Sequence, residues 1–596
     1  MYVPESPIKK TRIKRILRRR RKKVEELGLQ ADRHIEYNFL RRLNRLMSVR
    51  RFVFVWIILF VLSGVLVIMQ ARALSDYYQT LKPVAGGVYT EGMVGTFTNA
   101  NPIYATGSAD TAVSRLVFSG LFKYDTANKL TPSLAEGYEL DTKETRYVVR
   151  LKDNVYWHDG TKFDADDVLF TYKTIQDPDS KSALYSSWQG IKVSKKTDLI
   201  VIFDLPNPLS AFPHALTGGI LPEHLLKDTA PIQLRSLSFN TAPIGTGAFK
   251  WKFVEVKGGD TKSREQRVTL APNDRYFDGQ PKLDGLTIRT FTSEEKMIDA
   301  FKNKELTAIS GLESLPESLN NVTTTEITTT PLTGEVMAFM NNSKEHLKIP
   351  KFRTALVQSV NKKEIVQAVE YPAGIIDEPL LKGQLGYNKT FAQAGFNLTE
   401  ANKQLEANGY KIGPDGFRQR DGKPLVLTLR SQNNLEYTVV AQLLQKQWAK
   451  AGVKVEVNYY SAEDLQSSII PAHDYDILLY GISIGVDPDV FAYWHSSQAG
   501  TNSQGRINLS EYKSASADSA LEAGRIRSDP AQRALKYQPF LAAWQADNPA
   551  VALYQPTYLY VSSGKVFGFE RTAMNAGIDR FYNAHNWMIR EEKQNL

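Results

Sequence analysis

Gly481-Ile482-Ser483-Ile484-Gly485 fits the G-x-S-x-G pattern of a serine-hydrolase nucleophile elbow, and Asp487, Asp489 and His495 follow it. In such an enzyme the serine sits on a sharp strand-to-helix turn. The helix begins at once, so that its N-terminal N–H groups can stabilise an oxyanion. Here the residues after Ser483 are Ile-Gly-Val-Asp-Pro-Asp. Pro488 would remove a hydrogen bond from the second helical turn, and Gly485 and Val486 favour a loop. The stretch reads as a loop at a strand end, and an extracellular serine hydrolase using Ser483 is the alternative from another functional class.

Other catalytic patterns are weaker. Gly416 to Gly422 has the wrong spacing for a phosphate loop, with Pro424 where Ser or Thr should bind magnesium. Gly245-Thr246-Gly247 lacks the third glycine of a dinucleotide fingerprint and reads as a turn. The eight histidines show no metal-ligand spacing, so His158 and His495 read as hydrogen-bonded structural residues rather than ligands. No catalytic residue, cofactor or metal is expected.

The elements that must hold these residues alternate. RYVVRLK (146–152) and LIVIFDL (199–205) read as strands, and TSEEKMIDAFKNKEL (292–306) as a helix with a Thr/Ser start. PLVLTLRSQ, EYTVVAQLLQKQWAKAG, VKVEVNYY, SAEDLQSSI and DYDILLY then give strand, helix, strand, helical turn and strand between 424 and 480. This order predicts an α/β domain with parallel strands, whose binding crevices lie beyond the strands' carboxyl ends. ILLYGISIGVDPD occupies one such end.

At 596 residues the chain exceeds one ordinary core. It has no cysteine, which excludes disulfides, thiolate metal sites, cysteine nucleophiles and a lipid-modified cysteine. Its net charge of +10 is confined to one end: residues 1–51 carry 17 Lys/Arg against 5 Asp/Glu, and the remainder is close to neutral. Phe52 to Met69 then run without a charge, about 27 Å as a helix, enough to cross a bilayer core. The basic flank places residues 1–51 in the cytoplasm and everything after about residue 70 outside. The rival reading is a signal peptide cleaved at Ala71-Arg72-Ala73, but the long basic region and long apolar run favour an uncleaved anchor. Lys9 to Lys23 read as a topology determinant that touches anionic lipid rather than as a nucleic-acid site. Ile35, Phe39, Leu43, Leu46 and Met47 repeat at helical spacing and suggest an amphipathic helix on the inner leaflet.

Leu130 to Pro178, with Pro132-Ser133-Leu134-Ala135-Glu136, then Trp157-His158-Asp159-Gly160-Thr161 and Asp164-Ala165-Asp166-Asp167-Val168, resembles the hallmark segment of the family 5 extracytoplasmic solute-binding proteins. Further pieces follow in that family's order, from GILPEHLL (219–226) and PIGTGAFK (243–250) to DPDVFAYWHSSQ (487–498) and NPAVALYQPTYLYV (548–561). Each also has a plain physical role. Asp159-Gly160 makes a turn with Trp157 packed beneath it, and Asp164 caps a helix.

The resemblance implies a two-lobed α/β fold of the periplasmic-binding-protein type (class II, cluster C), with an extra domain inserted in lobe I; the apolar run adds one N-terminal transmembrane helix before it. Composition separates a basic cytoplasmic tail (1–51), a span (52–70) and a linker (71–83) from a solute-binding domain (84–596), which family order then divides. Within the last, lobe I takes 84–110, 206–310 and 546–596, the inserted domain 111–205, and lobe II 311–545. The implied function is a non-catalytic receptor, monomeric and single-pass in the cell membrane. It captures an extended peptide between its lobes and delivers it to ABC permease subunits, with no nucleic-acid partner.

Carried over to this sequence, the ligand contacts fall at Gly481, Ile482, Ser483, Ile484, Asp487, Tyr493, Trp494 and His495. The last three form an aromatic wall, although Trp494 serves equally well as packing. Many peptide binders of the family keep an acid just before the Asp-Pro step to pair with the ligand's ammonium, and a Trp after the strand-end Gly. Here Gly481 to Val486 contains no acid, and Ile482 takes the Trp position. Asp487 is the candidate substitute for that acid. An oligosaccharide or a nickel chelate is the alternative ligand within the same fold. A signalling or adhesion receptor, whose basic tail reports occupancy, is a third reading.

Overall fold

The computed structural model describes residues 21–26, 28–29, 50–260, 264–312, 314–320, 325–369, 371–501 and 507–595. Residues 21–26 are helical and exposed. The rest of the basic tail, including the amphipathic repeat at 35–47, lies outside the described residues. Two compact units emerge, one holding the N-terminal 82 residues with the last six, the other Pro83–Arg590.

In the first unit a single 29-residue helix, α1 (Arg50–Tyr78), contains the apolar stretch. From Phe52 to Arg72 it is long and apolar enough to span a membrane, and none of that stretch is buried. The helix runs straight through the segment expected as a linker from 71, and the chain then forms a strand, Gln79–Val84, paired with the C-terminal strand Arg590–Asn595. The apolar run and the residues after it are helical without a Pro or Gly after Gly64 to stop them, which composition at 71–78 does not announce.

The second unit is built on two large sheets. In chain order their central strands are β1 (Val88–Val94), β2 (Ala308–Ser310), β3 (Glu326–Pro331), β4 (Gly334–Met340), β5 (Val426–Gln432), β6 (Ile477–Ser483), β7 (Ala550–Gln555) and β8 (Thr557–Ser562). The first sheet has seven strands, in the order β3-β8-β2-β1 followed by Gly285–Phe291, Glu265–Pro272 and Phe249–Lys257. The second has six: Gly374–Ile375, then β7-β4-β6-β5, then Lys454–Tyr460. A separate four-stranded sheet lies within 135–204, in the region expected as the inserted domain.

Among the described residues the chain crosses between the two large sheets twice, at Leu332–Thr333 and at Pro556. The crossings are bonded to each other, Leu332 N–H donating to Pro556 O at 2.9 Å and Gln555 Nε2 to Leu332 O at 2.8 Å. Strand β3 therefore belongs with the first sheet and β7 with the second, each on the far side of the divisions expected at 311 and 546. Both strands are apolar or β-branched, and such patterns specify a strand without naming its sheet.

Period-two alternation assigns the second sheet's faces. Val336, Ala338 and Met340 of β4 enter the cluster that holds Leu444 and Trp448 of α2 (Leu435–Lys450). Met337 and Phe339 enter the cluster of Leu521 from α3 (Ala515–Arg525) and Tyr537, Phe540 and Trp544 from α4 (Pro530–Asp547). Both faces are covered, as an α/β sheet with parallel strands requires.

Local expectations resolve into named bonds. Asp164 accepts from Asp166 N–H at 2.8 Å while Asp167 reaches back to Asp164 N–H at 3.1 Å, a reciprocal cap of the helix Ala165–Gln176. Gly160 has φ +94° in the turn over buried Trp157. Gly245 passes so close to the helix Ser108–Val117 that a Cβ there would lie 1.9 Å from Val117 O. His158 accepts from Gly245 N–H through Nδ1 (3.2 Å), which leaves Nε2–H to donate to Gly247 O (3.0 Å). Burial pushes this histidine's pKa down to about 4.

Candidate ligand-binding cleft

The cleft begins where β6 outruns one neighbour. Strand β4 pairs with β6 along its whole length, from Met340 against Ile477 to Gly334 against Ser483, but β5 pairs only with Ile477 to Leu479. From Tyr480 to Ser483 the β5-facing edge has no strand partner among the described residues, leaving backbone groups for an added strand. The Tyr437 hydroxyl covers part of this edge, and a Cβ on Gly481 would stand 2.5 Å from it. Glycine is needed at 481 for that approach.

Ser483 ends the strand and is exposed. Its carbonyl accepts from the Tyr493 hydroxyl at 2.7 Å. Ile484 and Gly485 N–H both donate to Thr333 O (3.0 and 3.2 Å), and Gly485, at φ +69°, takes Gln384 Nε2 on its carbonyl at 2.6 Å. No helix follows until Phe491, eight residues on. His495 binds Ser497 Oγ at 2.8 Å and Glu522 at 3.2 Å, so both ring nitrogens are engaged away from Ser483. The strand-to-helix turn and the serine–histidine contact that a hydrolase needs are both missing.

Asp487 faces a cation of its own chain. Its two carboxylate oxygens take Arg533 Nη1 and Nη2, each at 2.7 Å, and the Asp487 and Arg533 side chains are 11% and 6% exposed. Burial works against the Arg533 charge, but the Asp487 hydrogen bonds and charge prevail and its pKa is raised. Asp489 is bound by Arg525 at 3.0 Å, and that guanidinium lies 4.1 Å from the centre of the Phe491 ring, which stacks on His495.

The residues expected to form an aromatic wall separate. Tyr493 reaches the strand end. His495, 7% exposed, is tied to Ser497 and Glu522. Trp494 is fully buried, packed between Phe339 and Trp544 at ring distances of 5.8 and 5.6 Å. Trp494 is core, because a single helical turn over Phe491–Trp494 sends adjacent side chains in different directions. Sequence reading missed Tyr437, Arg533 and the buried acid Glu335. The last has a legible signal, one carboxylate inside the apolar strand GEVMAFM.

The first sheet also borders open space. A cavity of about 380 Å³ opens beyond the carboxyl ends of β1 and β2, lined by Val94, Ser310, Tyr558 and Arg580 among others. Arg580 is held within the lobe by Glu91 at 2.6 Å. The two lobes touch in this structure. His214 Nε2 is 4.0 Å from Asp487 Oδ2, and Ser210 donates through N–H and Oγ to Arg525 O (2.9 and 3.0 Å). Ser528 donates through N–H and Oγ to the Glu144 carboxylate of the four-stranded region (2.9 and 2.8 Å).

Comparison with known proteins gives a consistent result. Residues 129–504 match the Bacterial extracellular solute-binding proteins, family 5 Middle. The oligopeptide-binding protein AppA of Bacillus subtilis is 29% identical over 485 residues, which cover 80% of this chain and 87% of AppA. The solved structure of AppA from Bacillus subtilis in complex with a nonapeptide superposes with a TM-score of 0.68 at 26% identity, covering 85% of this chain and all of that one. NikZ from Campylobacter jejuni in complex with Ni(L-His) gives a TM-score of 0.70 at 27% identity over 84% of this chain and 99% of that one.

Proposed function

Because the chain belongs to the family 5 bacterial extracellular solute-binding proteins, a family of binding proteins and not of enzymes, we propose that it is a membrane-anchored peptide receptor of an ABC importer. The observation that carries the peptide reading is the edge from Tyr480 to Ser483, which has no strand partner among the described residues. An extended peptide satisfies such an edge with its own backbone, whatever its side chains. The likeness to AppA, solved with a nonapeptide, supports the same ligand class.

In this reading Gly481, Ile482 and Ser483 pair with the peptide backbone, and Tyr493 and Ile484 shape the end of the groove. Asp487, Trp494 and His495 position the loop from behind. The apolar helix α1 tethers the receptor, with the basic tail inside and the bulk of the chain outside. Tethering supplies the anchorage that a chain without cysteine cannot obtain from a lipid-modified cysteine, and keeps the receptor concentrated near its permease.

Native mass spectrometry of the detergent-solubilised chain tests the proposal. A ladder of co-purified peptides is the expected result. The similarity to NikZ favours a second reading, a nickel chelate, and a single uniform metal-containing adduct in place of the ladder would establish it. Protease accessibility of tagged termini in intact cells tests topology; an exposed N-terminus would overturn it.

A further inference from the structure

The chain passes between its two compact units twice, at Lys82–Pro83 and at Arg590–Glu591. Both passages are rooted side by side in the second unit. Gly86 N–H donates to Lys282 O and Gly87 N–H to Asp284 Oδ2, each at 2.7 Å, and Lys282 N–H donates in turn to His585 O at 2.9 Å. A Cβ on Gly87 would stand 3.1 Å from the Ile589 side chain, and one on Gly86 would stand 3.0 Å from Arg590 Nη1. These glycines have φ of +113° (Gly86) and +88° (Gly87), a path that a side chain takes only with strain.

From these roots the strands Gln79–Val84 and Arg590–Asn595 continue as a two-stranded sheet of their own. A ribbon of this size is marginal when isolated in water, and Thr80 to Lys82 and residues 591–594 are all exposed. Here its two chains already start together, so the folded unit has met the loop-closure entropy of pairing segments so distant in sequence. On the other side, Gln79 follows Tyr78, the last residue of α1, with nothing between helix and strand.

We propose that the strand Arg590–Asn595 is a clamp on the membrane tether. By pairing with the strand that continues α1, it replaces a single-chain leash with a double-chain connection and restricts the swivel of the ligand-binding unit above the bilayer. A lone chain turns about each φ and ψ, whereas a paired one is held by its ladder of hydrogen bonds. A receptor held in this way presents fewer orientations to a membrane-embedded partner, which raises the effective concentration of the productive one. This rests on the membrane-anchored reading above and extends it from where the receptor is held to how.

The chain has no cysteine, so engineered cysteines report without background. Thr80→Cys is combined in turn with Glu591→Cys, Glu592→Cys, Lys593→Cys and Gln594→Cys in the full chain in membranes. At least one pair should close a disulfide under mild oxidant, because paired strands hold facing Cα atoms about 4.5–5.5 Å apart. Closure in none of them overturns the ribbon. The swivel is read by time-resolved anisotropy of a dye on Ser194→Cys, in the exposed strand Lys192–Thr197, with the full chain in phosphatidylcholine–phosphatidylglycerol vesicles. Deleting residues 591–596 should lower the residual anisotropy roughly twofold. Thr80→Pro with Glu592→Pro, which breaks the ladder without shortening the chain, should do the same. An unchanged anisotropy in both variants overturns the clamp. The melting temperature of the ligand-binding unit should hold at the wild-type value, and a drop in both variants would assign the strand to that unit's stability and overturn the clamp as well. Release of the wild-type chain from vesicles by alkaline carbonate overturns the anchored reading, and the clamp with it, whatever the cross-links show.

Discussion

Asp487 and Arg533 lie 46 residues apart and meet in a two-bond fork, both contacts at 2.7 Å, at the loop that follows strand β6. The arrangement orients the loop by a planar pair rather than by a lone carboxylate. It also explains how a loop with Gly485 and Asp487-Pro488 in it holds one course.

Removing one partner should be costly. Arg533→Met leaves Asp487 nearly buried and unpaired, for an expected loss of about 3–5 kcal/mol in unfolding free energy. Adding Asp487→Asn to it should recover part of the loss. Denaturant titration of the four variants of this cycle measures the coupling, and additive effects would show that the fork contributes nothing specific.

A methyl group at 481 should disturb capture through Tyr437. Gly481→Ala places Cβ against the Tyr437 hydroxyl, so peptide affinity is expected to fall several-fold. Tyr437→Phe in the same chain removes the opposing oxygen and should restore much of it. If the second substitution brings no rescue, the edge is not limited by this contact.

The Ser528–Glu144 clasp should set the balance between open and closed lobes. Two hydrogen bonds at about 0.5–1.5 kcal/mol each, one of them lost in Ser528→Ala, predict a two- to tenfold weaker affinity with no change at the cleft walls. Small-angle scattering of the ligand-free variant should show a larger radius of gyration. An unchanged radius with weaker binding would place the effect elsewhere.

His158 should make stability depend on pH. Its folded pKa of about 4 lies below the unfolded value near 6.5, so between those limits the unfolded chain holds more protons. Stability therefore rises with pH through this window and is lost on acidification, by up to about 3 kcal/mol. His158→Gln should flatten that slope relative to wild type in urea melts taken across the window.

The parts of this molecule legible in its sequence are those set by local chemistry. Asp164 announces its cap, Asp159-Gly160 its turn, and DYDILLY its strand, because each depends on neighbours a few residues away. Asp487 looked like a free acid because its partner arrives only at residue 533. Trp494 and Tyr493 are adjacent aromatics with opposite fates, decided by a single turn whose rotation no pattern in FAYW reveals. Strands β3 and β7 announce themselves as strands, but sheet membership depends on where the chain crosses at Leu332 and Pro556. Glu335 was visible as an acid among apolar neighbours, but only the structure shows that neither of its oxygens has a hydrogen-bond partner.

The bonded crossing has a consequence for how such proteins diversify. Everything from Thr333 to Gln555 that builds the second large sheet enters and leaves at one point, where Leu332 N and Pro556 O are 2.9 Å apart. That block is a cassette with abutting ends, the geometry that tolerates insertion and permutation. Recombination at these two breakpoints would exchange the whole second sheet with its edge strand, while the first sheet and the apolar N-terminal helix remain untouched.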